Sequence, residues 1–193
     1  MTRLSQGPGR RHLHVATDAV RTIRTAPHPM SEDEGMEPRF NLLAAPTAAK
    51  IAKRFSDVSS VLEQSTLPKT LRELVELRVG QLNGCGFCVD IHTKEAAAAG
   101  ESALRLHLVA AWRHSTVFTA AERAALALAE EGTRLGDHGV SDETWAEVRE
   151  HYDDDQVGAL VCLVSLINAA TRMNVIVRNP GGSYEPGMFA ALD

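Results

Sequence analysis

The chain is poor in cysteine, poor in aromatics and has no surplus of positive charge. Three cysteines in 193 residues are too few, and too clustered, for a disulfide framework. Aromatic residues make up 5% while Ala and Leu abound, a balance that leans towards helix. The net charge is -5, from 20 basic and 25 acidic side chains. That sign argues against nonspecific binding to nucleic acid or to an anionic membrane. No run of about 18 apolar residues occurs, so no transmembrane helix is expected. The first 31 residues hold five arginines and one acid, Asp18, but lack the apolar stretch of a secretory signal. Arg10-Arg11 leads into His12-Leu13-His14 rather than an apolar run, so export is not expected and a cytoplasmic location is.

What remains is the composition of one globular domain, 44% apolar and 23% charged. Residues 1–35 scatter Pro and Gly, end in Glu32-Asp33-Glu34 and read as a disordered extension. The expected domain spans 36–180, with its globular part beginning near Arg39-Phe40-Asn41-Leu42-Leu43 and a tail at 181–193.

From Ala45 the pattern is helical, with no convincing period-two stretch. Pro46 opens a helix carrying Ile51, Phe55, Val58, Val61 and Leu62 at spacings of three and four. Ser65 or Thr66 is a candidate N-cap for the next, with Pro68 in its first turn and Leu71, Leu74, Val75, Arg78 and Leu82 along one side. Asn83-Gly84 breaks it. A helix from about Cys85 to Ala99 stops at Gly100. Ser102 starts another through Trp112, Thr119-Ala-Ala-Glu122 fits a capping box, and Ser141 opens a helix reaching Tyr152. The most apolar helix runs from Gln156 to about Val177, either wholly buried or feeding a subunit interface. The expected fold is all-α, with about seven helices.

The chemistry concentrates in Cys85-Gly86-Phe87-Cys88. On a helix, Cys85, Cys88 and His92 share one face. The helix N-terminus favours a thiolate, and His92 supplies a proton acceptor or positive neighbour one turn beyond Cys88. Two adjacent thiols permit oxidation to a sulfenic acid and condensation to a disulfide, which an external thiol must then reduce. Cys85, Cys88, His92 and one acid would also suit zinc, but no second Cys or His pair accompanies them, so no metal is expected. Cys162, between Val161 and Leu163, reads as a small buried hydrophobe. His107, His114, His138 and His151 read as structural or surface residues. Helix position favours Cys85 as the more acidic thiol, and His92 favours Cys88. Taken alone, Glu73 reads as a solvated helix charge, and Glu76 is an equal candidate for a proton-relay acid.

The stretch Leu71 to Ala96 resembles the core of the alkylhydroperoxidase D-like branch of the carboxymuconolactone decarboxylase superfamily. That pattern is a Glu, eleven residues, C-x-x-C, three residues and His, matched here by Glu73, Cys85, Cys88 and His92. The wider likeness covers roughly residues 36–180, including Met36-Glu-Pro-Arg-Phe and the Asn168 region. The resemblance implies an all-helical homotrimer or homohexamer that reduces hydroperoxides at the expense of a thiol reductant, without a cofactor. It implies that Cys88 attacks the peroxide, Cys85 resolves, and Glu73 and His92 relay protons. It alone selects Glu73 over Glu76. One departure stands out. Peroxidase members carry a His just before the second cysteine, where this chain has Phe87. A dithiol redox sensor or disulfide exchanger is therefore the alternative function, and a zinc-stabilised helical binding module the alternative from another class.

Overall fold

The computed structural model describes residues 36–188. The expected extension at 1–35 and the end of the expected tail lie outside the described residues.

Among the described residues seven α-helices follow one another: α1 (Pro46–Glu63), α2 (Lys69–Asn83), α3 (Gly86–Ala98), α4 (Ala103–Leu108), α5 (Ala120–Thr133), α6 (Asp142–His151) and α7 (Asp154–Val177). Short 3-10 turns cover Leu42–Ala44 and Val109–His114. Among the described residues there is no strand, only an isolated bridge between Gly136 and Gly139. The fold is thus the expected all-α one.

Local chemistry sets most boundaries. Pro46 sits at the start of α1, where its missing N–H costs no intrahelical bond. Thr119 and Glu122 form a reciprocal capping box on α5, and Asp153 and Gln156 form another on α7. Ser102 and Ser141 cap α4 and α6. Two expectations need correction. Neither Ser65 nor Thr66 caps α2; Pro68 holds that position, without a side-chain cap. The helix after Ser102 does not run straight to Trp112. It passes into a 3-10 turn at Val109, with Ala111 off helical geometry (φ -117°, ψ 25°).

α2 is the central element and packs against α3, α5 and α7. Its apolar residues face two ways. Leu71, Val75 and Val79 join Ala125 and Leu128 of α5 and Leu160, Leu163 and Ile167 of α7. Leu74 and Leu77 join Ala96, Leu106, Val109, Trp112, Phe118 and Leu126 in a second cluster. A helix buried on opposite sides needs apolar residues around most of its circumference, which blurs the single stripe of a surface helix. In α5 the run Ala124 to Ala129 is buried throughout, and its four alanines let neighbouring helices come close.

Glu130 anchors the second cluster. It accepts from Arg78 Nε at 2.8 Å, Trp112 Nε1 at 2.9 Å and Arg113 Nη2 at 3.0 Å. Arg78, placed on an apolar side by its spacing, therefore points its charge at a partner rather than at hydrocarbon.

α7 is long and apolar enough, by length and composition, to cross a membrane. It is instead a core helix on one side: Val157, Leu160, Leu163, Val164, Ile167 and Thr171 are buried. The other side is not. Val161, Val175 and Ile176 are exposed, so the helix is not wholly buried. Cys162 is exposed too, which corrects its expected burial. It lies next to Leu163 in sequence but about 100° around the helix, outside the packed stripe.

α1 buries Leu62 alone and leaves Ile51, Val58 and Val61 exposed along its length. After α7, residues 179–188 turn back along α3. Asp90 accepts from the backbone N–H groups of Gly182 (2.7 Å) and Tyr184 (3.0 Å), and Tyr184 donates its hydroxyl to Glu95 at 2.6 Å. Gly181 passes so close to Gly86 that an added Cβ would run into its carbonyl.

Candidate functional site

The site is built where α2 ends and α3 begins. Gly84 takes the left-handed conformation (φ 68°) that ends α2, a shape only glycine adopts cheaply. The turn is pinned from α7. Asn83 donates to Asn168 Oδ1 at 3.0 Å and to Thr171 Oγ1 at 2.8 Å, and Asn168 donates on to Thr133 of α5 at 2.9 Å. This buried amide network fixes the approach of the chain to the cysteines.

Cys85 is the N-cap of α3 rather than its first residue, a shift of one position from the expected start. Its sulfur accepts the backbone N–H of Cys88 at 3.1 Å. The structure joins Cys85 and Cys88 in a disulfide, with Cα atoms 5.3 Å apart. Both residues are buried, at 2% and 3% exposure. Gly80 of α2 faces Cys88, and a Cβ there would stand 3.4 Å from the Cys88 Cβ. At this point α3 packs directly against α2.

That close crossing brings the remaining predicted residues together. His92 Nδ1 lies 2.9 Å from Glu73 Oε2 and 3.5 Å from Glu76 Oε2. Both acids therefore meet the histidine, with Glu73 the nearer and itself 7% exposed. A solvated role for Glu73, its reading from α2 alone, does not hold. Burial pushes the His92 imidazole down, but the Glu76 and Glu73 carboxylates outweigh it and hold the ring above its usual range. Burial lifts the Glu76 carboxyl to about 7, against the pull of His92. Arg72, beside them on α2, is also buried, and its Nε has no hydrogen-bond partner. Its charge draws the Glu76 carboxyl down in part.

The donor atoms of Glu73, Glu76 and His92 lie within 4.8 Å of one another, a spacing that would suit a divalent cation. The same spacing is accounted for by an imidazolium shared between two carboxylates. The cysteines lie outside this group, so the ligand set weighed for zinc is not the one the fold assembles.

Asn174 was not singled out in the sequence. It extends from α7 and donates to the Cys88 sulfur at 3.9 Å. An asparagine on an apolar helix gives no local signal, and only the packing of α7 on α3 selects it. Phe87 is half-buried between the cysteines. His107, His114, His138 and His151 are exposed and far in role from this cluster, as expected.

Such an arrangement has defined chemical capacities. Two sulfurs within bonding distance can store two electrons. A histidine with its Nδ1 held by carboxylates keeps one ring nitrogen oriented for proton transfer.

Comparison with known proteins bears on the family and the fold. Residues 49–131 match the carboxymuconolactone decarboxylase family. The uncharacterized protein YdfG of Bacillus subtilis (strain 168) is 37% identical over 139 residues, covering 72% of this chain and 92% of its own length. Among solved structures, the chain is similar to ATU0492 of Agrobacterium tumefaciens, a protein of unknown function proposed to be the antioxidant defence protein AhpD. The TM-score is 0.71 at 30% identity, over 77% of this chain and all of the other. An uncharacterized peroxidase-related protein with an alkylhydroperoxidase AhpD core, from Ralstonia eutropha JMP134, shares the fold. Its TM-score is 0.63 at 18% identity, over 77% of this chain and 92% of its own. With its paired cysteines in that setting, the chain belongs to the carboxymuconolactone decarboxylase family, as a C-x-x-C member of the alkylhydroperoxidase D-like branch.

Proposed function

We propose that the protein is a thiol-dependent peroxidase. The observation that carries this reading is the buried Cys85–Cys88 pair on the same helix as a His92 held by two carboxylates. In the reduced protein the Cys88 thiolate attacks the terminal oxygen of a hydroperoxide. The S–O bond forms, the O–O bond breaks, and the leaving alkoxide takes a proton relayed by His92 and Glu73. Cys88 is then a sulfenic acid. The Cys85 sulfur attacks it and water leaves, giving the disulfide. An external dithiol returns two electrons and two protons. No cofactor takes part in this cycle.

The partners that follow are a hydroperoxide and a thiol reductant. The exposed apolar residues of α1 support assembly of several copies as a homotrimer or homohexamer. A compartment that keeps the dithiol reduced, such as the cytoplasm, suits the cycle. Replacing Cys88 with Ser should abolish peroxide turnover with any reductant, and normal turnover by that variant would sink the proposal.

A second reading, a dithiol sensor or disulfide exchanger, is favoured by Phe87 standing where peroxidase relatives carry a relay histidine. Steady-state peroxide consumption with an excess of dithiol separates the two. A sensor oxidises once and stalls.

A further inference from the structure

We propose that Asn174 is a further catalytic residue, the side chain that holds the Cys88 sulfur as its thiolate. The inference rests on the peroxidase reading for its role in turnover, but its physical content stands on geometry. An asparagine amide offers one acceptor oxygen and two N–H groups. Asn174 Oδ1 accepts from Asn179 Nδ2 at 2.9 Å. Asn174 Nδ2 gives one N–H to the Ala170 carbonyl, one turn back on α7, at 3.0 Å. Turning the amide over would set oxygen against the Ala170 carbonyl and nitrogen against the Asn179 donor, losing both bonds. The orientation is therefore fixed, and the second N–H is directed at Cys88 Sγ, 3.9 Å away. Donation to a neutral or disulfide sulfur is weak and long. The same N–H facing a thiolate becomes a charge-assisted bond.

The need for such a donor follows from burial. Cys88 is 3% exposed, so little water reaches its sulfur and the charged form is disfavoured. Cys85 solves this problem differently, through the Cys88 backbone N–H at the start of α3. The two sulfurs thus draw on separate donors, Cys85 on the helix terminus and Cys88 on α7. Beyond Cys85, His92 stands one turn further along α3 than Cys88 and is held by Glu73 and Glu76 of α2, and none of these residues changes when Asn174 is replaced. Holding the Cys88 thiolate ready also bears on which sulfur attacks. A donor dedicated to Cys88, one that tightens on ionisation, favours it as the attacking thiol.

The test uses the full chain with Cys162→Ser throughout, so that a single thiol reports. In Cys85→Ser protein, the thiol pKa of Cys88 is read from the pH dependence of alkylation by iodoacetamide. Asn174→Ala should raise that pKa by roughly one pH unit, a roughly tenfold loss of thiolate at neutral pH. Asn174→Asp, nearly the same shape but carrying a negative charge, should raise it further. Asn179→Ala, which leaves Asn174 in place but frees its carbonyl, should give a smaller rise and serves if the Asn174 variants fold poorly. In Cys88→Ser protein, the Cys85 thiol should hold its pKa when Asn174 is replaced by Ala. An unchanged Cys88 pKa in Asn174→Ala overturns the inference, as does an unchanged value in Asn179→Ala should Asn174→Ala not fold, or an equal rise at Cys85. No peroxide enters this titration. A failure of wild-type peroxide turnover would therefore remove the peroxidase reading while leaving the assignment of the Cys88 donor to be decided by alkylation alone.

Discussion

Replacing Glu76 with Gln should make the folded protein less sensitive to pH. Glu76 faces His92, 3.5 Å from its Nδ1, with its carboxyl lifted from the usual 4.5 to about 7, chiefly by burial. Between those values the folded protein keeps a proton that the unfolded chain has released. Stability therefore falls as pH rises through that window, and ionising Glu76 in place costs on the order of 3 kcal/mol. His92 adds a slope of the same sign. Its folded pKa is raised, so its stabilising charge is fully present below about 6.5 and is lost as pH climbs through the folded value. The wild type should thus weaken steadily from about pH 5 to about pH 8. Gln fills the same space without a charge to desolvate. It also removes one of the two carboxylates that hold His92 protonated, so both slopes shrink. Urea unfolding followed by circular dichroism at several pH values measures the difference. At about pH 5 the two proteins should agree within about 1 kcal/mol, and at about pH 8 the variant should be the more stable by up to about 3 kcal/mol. Parallel pH curves, or a variant clearly weaker at the alkaline end, would refute the reasoning about this buried carboxyl.

Two further outcomes concern the scaffold. Glu130→Ala strips the acceptor from Arg78 and from the buried Trp112 indole. It should cost about 3 kcal/mol, seen as a lowered urea midpoint, and a loss below about 1 kcal/mol would show that water replaces the carboxylate. The exposed Ile51, Val58 and Val61 of α1 should be covered by other copies of the chain. Light scattering should give a multiple of the chain mass for the wild type and a smaller species for Val58→Asp, whereas a monomeric wild type would remove the assembly argument.

Much of this protein is written locally. Pro46, the Thr119–Glu122 box, Ser141 and Asn83-Gly84 mark helix boundaries through bonds within a few residues, so they are legible without any tertiary knowledge. Helical spacing likewise puts Cys88 and His92 one turn apart on α3, with Cys85 as its N-cap. The kink at Ala111 and the exposure of Cys162 were not legible. The first depends on how the chain turns over Trp112, the second on which side of α7 meets α2 and α5.

The sequence by itself therefore determined the helices, the paired thiols and one histidine in register with them. The tertiary structure alone decided which acids meet that histidine, because Glu73 and Glu76 sit on α2 and reach His92 only through the packing of α3 on α2. It alone decided that Asn174, 86 residues from Cys88, should face its sulfur. Contacts between helices depend on crossing angle and close packing, and neither is encoded in the spacing of residues along any one helix.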